Sequence, residues 1–151
     1  MSCINKEVLK IKKLNDLAKI PTYGTKYAAG CDLYAATSED IVLNPGETKL
    51  IPTGLSMEIP TGLVGLIFAR SGISIKRGLA PANKVGVIDS DYRGEIMVAL
   101  YNQSNQEQII EKSERIAQFV LVPYVQAEFE EVESLDETIR GNGGFGSTGT
   151  K

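Results

Sequence analysis

Apolar residues in this chain recur mostly at alternate positions, in short pieces. Leu9 and Ile11 alternate with Lys10 and Lys12, and Leu55, Met57 and Ile59 alternate with Gly54, Ser56 and Glu58. Ile96, Val98 and Leu100 repeat the same period of two. Alternation sends one row of side chains to a core and the other to water, so each piece reads as a half-buried strand. Leu63–Phe68 is a short apolar run, and Arg115–Val122 is another, interrupted only by Gln118. Turn signals lie between the pieces at Asn44-Pro45-Gly46, Ile51-Pro52, Ile59-Pro60-Thr61-Gly62 and Tyr101–Asn105. Helical periodicity is scarce. A short helix is expected over Ile73–Arg77, after Ser71-Gly72, and at most one helical turn over Leu14–Lys19. Many short strands at this spacing predict an all-β sandwich, jelly roll or barrel.

The pattern fades at the C-terminal end. Arg140–Gly149 contains five glycines and one large apolar residue, Phe145. Such a segment buries too little surface to order itself. A folded domain over residues 1–137 and a mobile, glycine-rich tail over 138–151 are therefore expected. Gly144 and Gly149 have the glycine spacing of a phosphate-binding P-loop, but Thr150-Lys151 reverses the order that motif needs. The ingredients still suit a nucleotide: Arg140 for phosphate, Phe145 for stacking on a base, Ser147 and Thr148 as hydroxyl donors.

At 151 residues the chain makes one ordinary domain. A net charge of −3 gives no sign of sequence-independent DNA binding, while leaving room for a local cationic pocket. No apolar stretch approaches the roughly 18–20 residues that span a bilayer. The opening residues Met1–Glu7 lack the apolar core of a secretory leader. Cys3 and Cys31 are far apart, without metal-ligand spacing, so a reduced, cytosolic protein without a structural zinc site is expected. The chain has no histidine, so a general base near neutral pH must be another residue type.

That requirement directs attention to Gly86-Val87-Ile88-Asp89-Ser90-Asp91-Tyr92-Arg93-Gly94. Lying between the apolar runs Lys84–Ile88 and Glu95–Leu100, it reads as a β-hairpin. Asp89 directly follows strand-like residues, where an idle carboxylate costs desolvation energy, so a partly desolvated Asp89 is the leading candidate base. The competing interpretation is a tight turn in which Asp89 and Asp91 cap backbone amides; Asp91 is assigned to the turn. Three other segments carry weaker signals. In Ala29–Ala35, Asp32 could hold a hydrated cation or bond a nearby turn. In Arg70-Ser71-Gly72, Ser71 suits an N-cap, and the helix start suits an anion. In Glu114–Phe119, Gln118 shares a face with Ile116, Val120 and Val122 and needs hydrogen-bond partners.

These five segments, in this order, resemble the motifs of the homotrimeric dUTPases, which hydrolyse dUTP to dUMP and pyrophosphate. The resemblance runs from about Leu9 to Gly149. It departs at Ser113, where the family commonly has glycine, and at Cys31, where an aromatic or small residue is more usual. It implies a jelly-roll-type β-barrel of short strands with one short helix, assembled as a homotrimer with active sites at subunit interfaces. Asp89 would activate water for attack on the α-phosphorus, and Tyr92 would exclude a 2′-hydroxyl. Gly86, Val87, Ile88 and Met97, with Asn83, would read uracil. Arg70, Ser71, Gly72 and Gln118 would hold phosphates; Phe145 would lie over the base, with Arg140, Gly146, Ser147 and Thr148 near the outer phosphates. Mg²⁺ would be ligated mainly by the triphosphate, with Asp32 acting through a water. The implied role is to keep uracil out of DNA and supply dUMP for dTMP synthesis, in the cytoplasm, and also the nucleus in a eukaryote. Neither nucleic acid nor membrane is an expected partner. A dCTP deaminase on the same barrel, a nucleotide-sensing regulatory protein and a purely structural jelly roll are the rivals.

Overall fold

The computed structural model describes residues 6–144. In chain order the described strands are β1 (Lys10–Lys13), β2 (Thr22–Tyr23), β3 (Cys31–Tyr34), β4 (Ile41–Leu43), β5 (Thr48–Pro52) and β6 (Leu55–Glu58). They continue with β7 (Leu63–Phe68), helix α1 (Ser71–Arg77), β8 (Leu79–Pro81), β9 (Gly86–Ile88), β10 (Met97–Asn102), β11 (Gln108–Ile110) and β12 (Arg115–Pro123). Four antiparallel sheets result: β1 with β6, β4 with β11, β5–β10–β8, and the five-stranded β2–β3–β12–β7–β9. The architecture is the all-β, jelly-roll type expected, and among the described residues no ladder closes on itself.

The core uses the alternation read from the sequence. Leu55, Met57 and Ile59 are buried, as are Ile96, Val98 and Leu100, while Leu9 and Ile11 pack against this core from β1 and the residue before it. Burying a Leu or Ile side chain is worth about 1.5–3 kcal/mol, so these rows dominate the stabilisation of the sheets. Leu14–Lys19 makes a single turn and no helix, with the Ala18 N–H donating to the Asn15 carbonyl at 3.4 Å. The Asn15 side-chain oxygen accepts the N–H groups of Leu17 (3.0 Å) and Ala18 (3.1 Å), a side-chain-closed turn.

Two local departures shape the site. β12 carries a bulge: Arg115 faces Tyr34 and Ala117 faces Leu33, so Ile116 is the extra residue. Ile116, Ala117 and Phe119 are all buried, and Gln118 therefore does not share a face with Ile116. The Gly86–Gly94 segment also departs from a simple hairpin. β9 pairs with β7, whereas β10 pairs with β5 and β8. Its flanking strands thus lie in different sheets, and the connection crosses between them. Long-range partners overrode the local turn chemistry.

Helix α1 begins two residues earlier than the apolar pattern predicts, at Ser71, with Arg70 in the extended N-cap position. No side chain caps it, so the capping role expected of Ser71 is not observed. Gly78 ends the helix with φ 67°, a left-handed geometry that glycine adopts at least cost. The last strand ends at Pro123, and residues 124–144 carry no helix or strand. Phe129 is 93% exposed in that stretch.

Candidate active site

The first group of functional side chains sits where β3, β12 and the end of β7 meet. Asp32 on β3 faces Gln118 on β12, and Gln118 faces Phe68 on β7. Arg70 Nε donates to one Asp32 oxygen at 2.7 Å, and an Arg115 Nη1 donates to the other at 3.2 Å. Asp32 is only 14% exposed, so this carboxylate works in a partly desolvated setting. Arg70 also donates to the Arg115 carbonyl at 3.3 Å. Two guanidinium groups around one carboxylate leave a net positive charge among the three side chains, suited to an anion. Ser71 and Gly72 lie exposed beside them at the helix start.

Gln118 finds one partner in the protein: its Nε2 donates to the Ala69 carbonyl at 2.8 Å. The second amide proton and most of the carboxamide oxygen's accepting capacity remain for something else. Arg77 holds the helix from its other end, through Gln108 at 3.1 Å, Glu114 and the Ile109 carbonyl. Burial, then the neighbouring Asp32 charge, pushes the Cys31 thiol upward, so it stays protonated at neutral pH and serves as packing rather than nucleophile.

The second group surrounds β9 and its crossing loop. β9 is the edge of its sheet, so one side of its backbone carries N–H and C=O groups that no ladder uses. A cavity of about 230 Å³ is lined by Val87, Ile88, Asp89, Tyr92, Glu95 and Met97. A wider cleft of about 570 Å³ meets the same loop, with Val64, Leu66, Asp89, Asp91 and Tyr124 on its walls. Asn83 is exposed, and its side-chain nitrogen lies beside Gly86.

Asp89 is exposed in the single chain, contrary to the partial desolvation expected. No salt bridge among the described residues engages its carboxylate. Its carbonyl accepts the Tyr92 N–H at 3.2 Å, closing the turn through the backbone and not through either aspartate side chain. The loop is pinned elsewhere: Glu95 accepts the Gly54 N–H at 2.8 Å, and the Ser56 hydroxyl donates to the Arg93 carbonyl at 2.7 Å.

One chain does not bring the two groups together. Ile88 stands opposite Gly65 on β7, and Asp89 continues away from the end that leads to Arg70. Five residues separate Gly65 from Arg70, roughly 16 Å at strand spacing. A carboxylate thus lies toward one end of β7 and an arginine cluster beyond the other.

The family model dUTPase matches residues 16–149 of this chain. The chain belongs to the dUTPase family. The deoxyuridine 5'-triphosphate nucleotidohydrolase of Nautilia profundicola is 57% identical over 141 residues, covering 93% of this chain and 98% of its own. The dUTPase of Staphylococcus bacteriophage 80alpha, solved with dUPNHPP, superposes with a TM-score of 0.87 at 32% identity, covering 95% of this chain and 99% of the phage chain. The dUTPase of phage phi11 of S. aureus, whose structure concerns coordination of a structural Mg(II) ion, gives a TM-score of 0.79 at 27% identity, over 87% of this chain and 100% of that one.

Of the dUTPase motif residues, the structure groups Asp32, Arg70 and Gln118, with Ser71 and Gly72 adjacent, and separately Val87, Ile88, Asp89, Tyr92 and Met97. Arg140 is exposed and donates only within its own turn, to the Gly143 carbonyl at 2.9 Å. Phe145, Gly146, Ser147 and Thr148 lie outside the described residues. Sequence reasoning missed Arg115, Glu95, Gly30 and Gly94. Only Arg115 carried a signal, as a second cation three residues before Gln118.

Proposed function

We propose that this dUTPase-family nucleotidohydrolase hydrolyses dUTP with Asp89 as general base, in a site completed by neighbouring copies of the chain. The observation that carries the assignment is the uncommitted Asp89 carboxylate beside the Tyr92 cavity, at the opposite end of β7 from the Asp32–Arg70–Arg115 cluster. Asp89 takes a proton from water as the water oxygen attacks the α-phosphorus. The bond from that phosphorus to the bridging oxygen breaks, pyrophosphate leaves, and dUMP keeps the incoming oxygen. Such a base contributes about 10²–10⁴-fold, and charge stabilisation of the phosphates supplies the larger share.

Uracil is read by the free backbone edge of β9 over Gly86, Val87 and Ile88, with Asn83 and Met97 beside it. The Tyr92 ring packs against the deoxyribose and leaves no room for a 2′-hydroxyl. Arg70, Ser71, Gly72 and Gln118 hold phosphate oxygens, and the tail brings Phe145 over the base with Arg140, Gly146, Ser147 and Thr148 at the outer phosphates. Residues 138–151 form the closing segment and residues 1–137 the domain it closes on. The separation of the two halves within one chain supports sites shared between copies, and the dUTPase resemblance makes that assembly a homotrimer.

Mg²⁺ fits this donor set only in part through protein. Among the described residues no cluster of three carboxylate, thiol or imidazole groups forms a cage. Both Asp32 oxygens are ion-paired, yet each keeps a lone pair that can accept from a metal-bound water, and Mg²⁺ commonly keeps several waters. When bound, it neutralises triphosphate charge. No described helix is long and apolar enough to cross a membrane, and the buried free Cys31 supports a reducing, cytoplasmic setting.

A panel of dUTP, UTP, dTTP and dCTP with Mg²⁺ tests the assignment. Pyrophosphate release from dUTP, far above the other three, is expected. Ammonia release from dCTP would instead establish a deaminase, and binding without turnover a regulatory protein.

A further inference from the structure

Gly94 has no conformational need to be glycine, because its φ lies outside the left-handed region. What the position lacks is room. A Cβ built there would stand 2.5 Å from Tyr92 Cζ and 2.9 Å from Cε2, with the phenol oxygen also in collision. Non-bonded carbons settle at about 3.5–4.0 Å, so the ring would have to shift by roughly 1 Å. The ring is held where it is. Its hydroxyl donates to the Glu95 carbonyl at 2.9 Å, and the chain on both sides of Gly94 is tied to β6 and the residue before it through Ser56 and Gly54. From that position the ring forms one wall of the cavity between Ile88 and Met97.

We infer that Gly94 is a specificity-determining residue: its missing side chain lets the Tyr92 ring lie against the turn, at the depth that admits a deoxyribose and excludes a ribose. The inference rests on the sugar-gating role proposed for Tyr92. A methyl group at residue 94 displaces the ring from this position, so the wall that tells deoxyribose from ribose is no longer set at its selective depth and discrimination falls. Glu95 contributes through its backbone carbonyl, which fixes the hydroxyl end of the ring.

The test compares kcat/KM for dUTP and UTP in full-length wild type, Gly94→Ala, Tyr92→Ala and the double variant, with thermal unfolding midpoints alongside. Gly94 is exposed and its backbone accepts alanine, so the cost is confined to the Tyr92 ring and its bond to the Glu95 carbonyl, and the midpoint should fall by only about 2–4 °C. Gly94→Ala is expected to lower the dUTP/UTP ratio at least about tenfold, the scale of a single steric contact in a pocket. The double variant should discriminate no worse than Tyr92→Ala alone, because both changes act through one ring. A wild-type ratio in Gly94→Ala, with Tyr92→Ala impaired, overturns the inference while leaving the Tyr92 gate standing. Losses that multiply in the double variant also overturn it. An unchanged ratio in Tyr92→Ala removes the gate itself, and the inference with it.

Discussion

The carboxamide of Gln118 occupies the space that a side chain on Gly30 would need. A Cβ on Gly30 would lie 2.6 Å from Gln118 Oε1, and Gly30 has no left-handed φ to explain its identity. The glycine is there to seat the amide. Gly30→Ala should therefore swing Gln118 away from Ala69 and lose its phosphate contact. A hydrogen bond to a charged group is worth about 1.5–3 kcal/mol, so kcat/KM for dUTP should fall about 10- to 100-fold. Steady-state kinetics of Gly30→Ala, Gln118→Ala and the double variant check it, the double being expected to lose no more than Gln118→Ala alone.

The catalytic role proposed for Asp89 is separable from the fold, since its side chain is exposed and free of ion pairs among the described residues. Asp89→Asn should keep the unfolding midpoint and dUTP binding, while turnover drops at least about 10²-fold. Calorimetric binding beside single-turnover hydrolysis separates the two. Near-normal turnover would take Asp89 out of the mechanism.

Ser113 has φ 61°, a left-handed backbone on a residue with a Cβ. This is the position at which the dUTPases commonly carry glycine, and the backbone geometry supplies the reason. The left-handed conformation costs an L-residue roughly 1–2 kcal/mol, partly offset by the greater freedom of glycine in the unfolded chain. Ser113→Gly should stabilise the protein by about 1 kcal/mol and leave kcat unchanged, as read by denaturant titration.

Among the described residues regular structure ends at Pro123, and the described part of the tail bonds only within its own turn. Deleting residues 140–151 should leave far-ultraviolet circular dichroism and oligomer mass intact and largely abolish hydrolysis of dUTP. A fully active truncation would show that the site closes without the tail.

The strands at Leu55–Glu58, Leu63–Phe68 and Arg115–Pro123 were legible because a period of two, or an apolar run between turn residues, reports burial directly. Strand partners were not legible. Gly86–Ile88 looked like half of a hairpin because the turn chemistry is local, while its pairing to Leu63–Phe68 and that of Met97–Asn102 to Thr48–Pro52 are long-range. The bulge at Ile116 broke the face assignment of Gln118, since one inserted residue inverts the alternation. Asp32 looked like a metal carboxylate, and its bridging of Arg70 and Arg115 depends on side chains 38 and 83 residues away. Gly30 and Gly94 were invisible as site residues because a glycine's missing side chain has meaning only once its neighbour is placed.

Asp89 and the Arg70 cluster of one site are proposed to come from different copies of the chain. Subunit mixing tests it most directly: Asp89→Asn and Arg70→Ala chains, each inactive alone, are unfolded together, refolded and assayed for dUTP hydrolysis. Random assembly of split sites restores an intact pair in about one quarter of them, so the mixture should recover about that fraction of wild-type activity. A refolded mixture of correct oligomeric mass that stays as inactive as its parents would place both residues in the same chain's site and contradict the account.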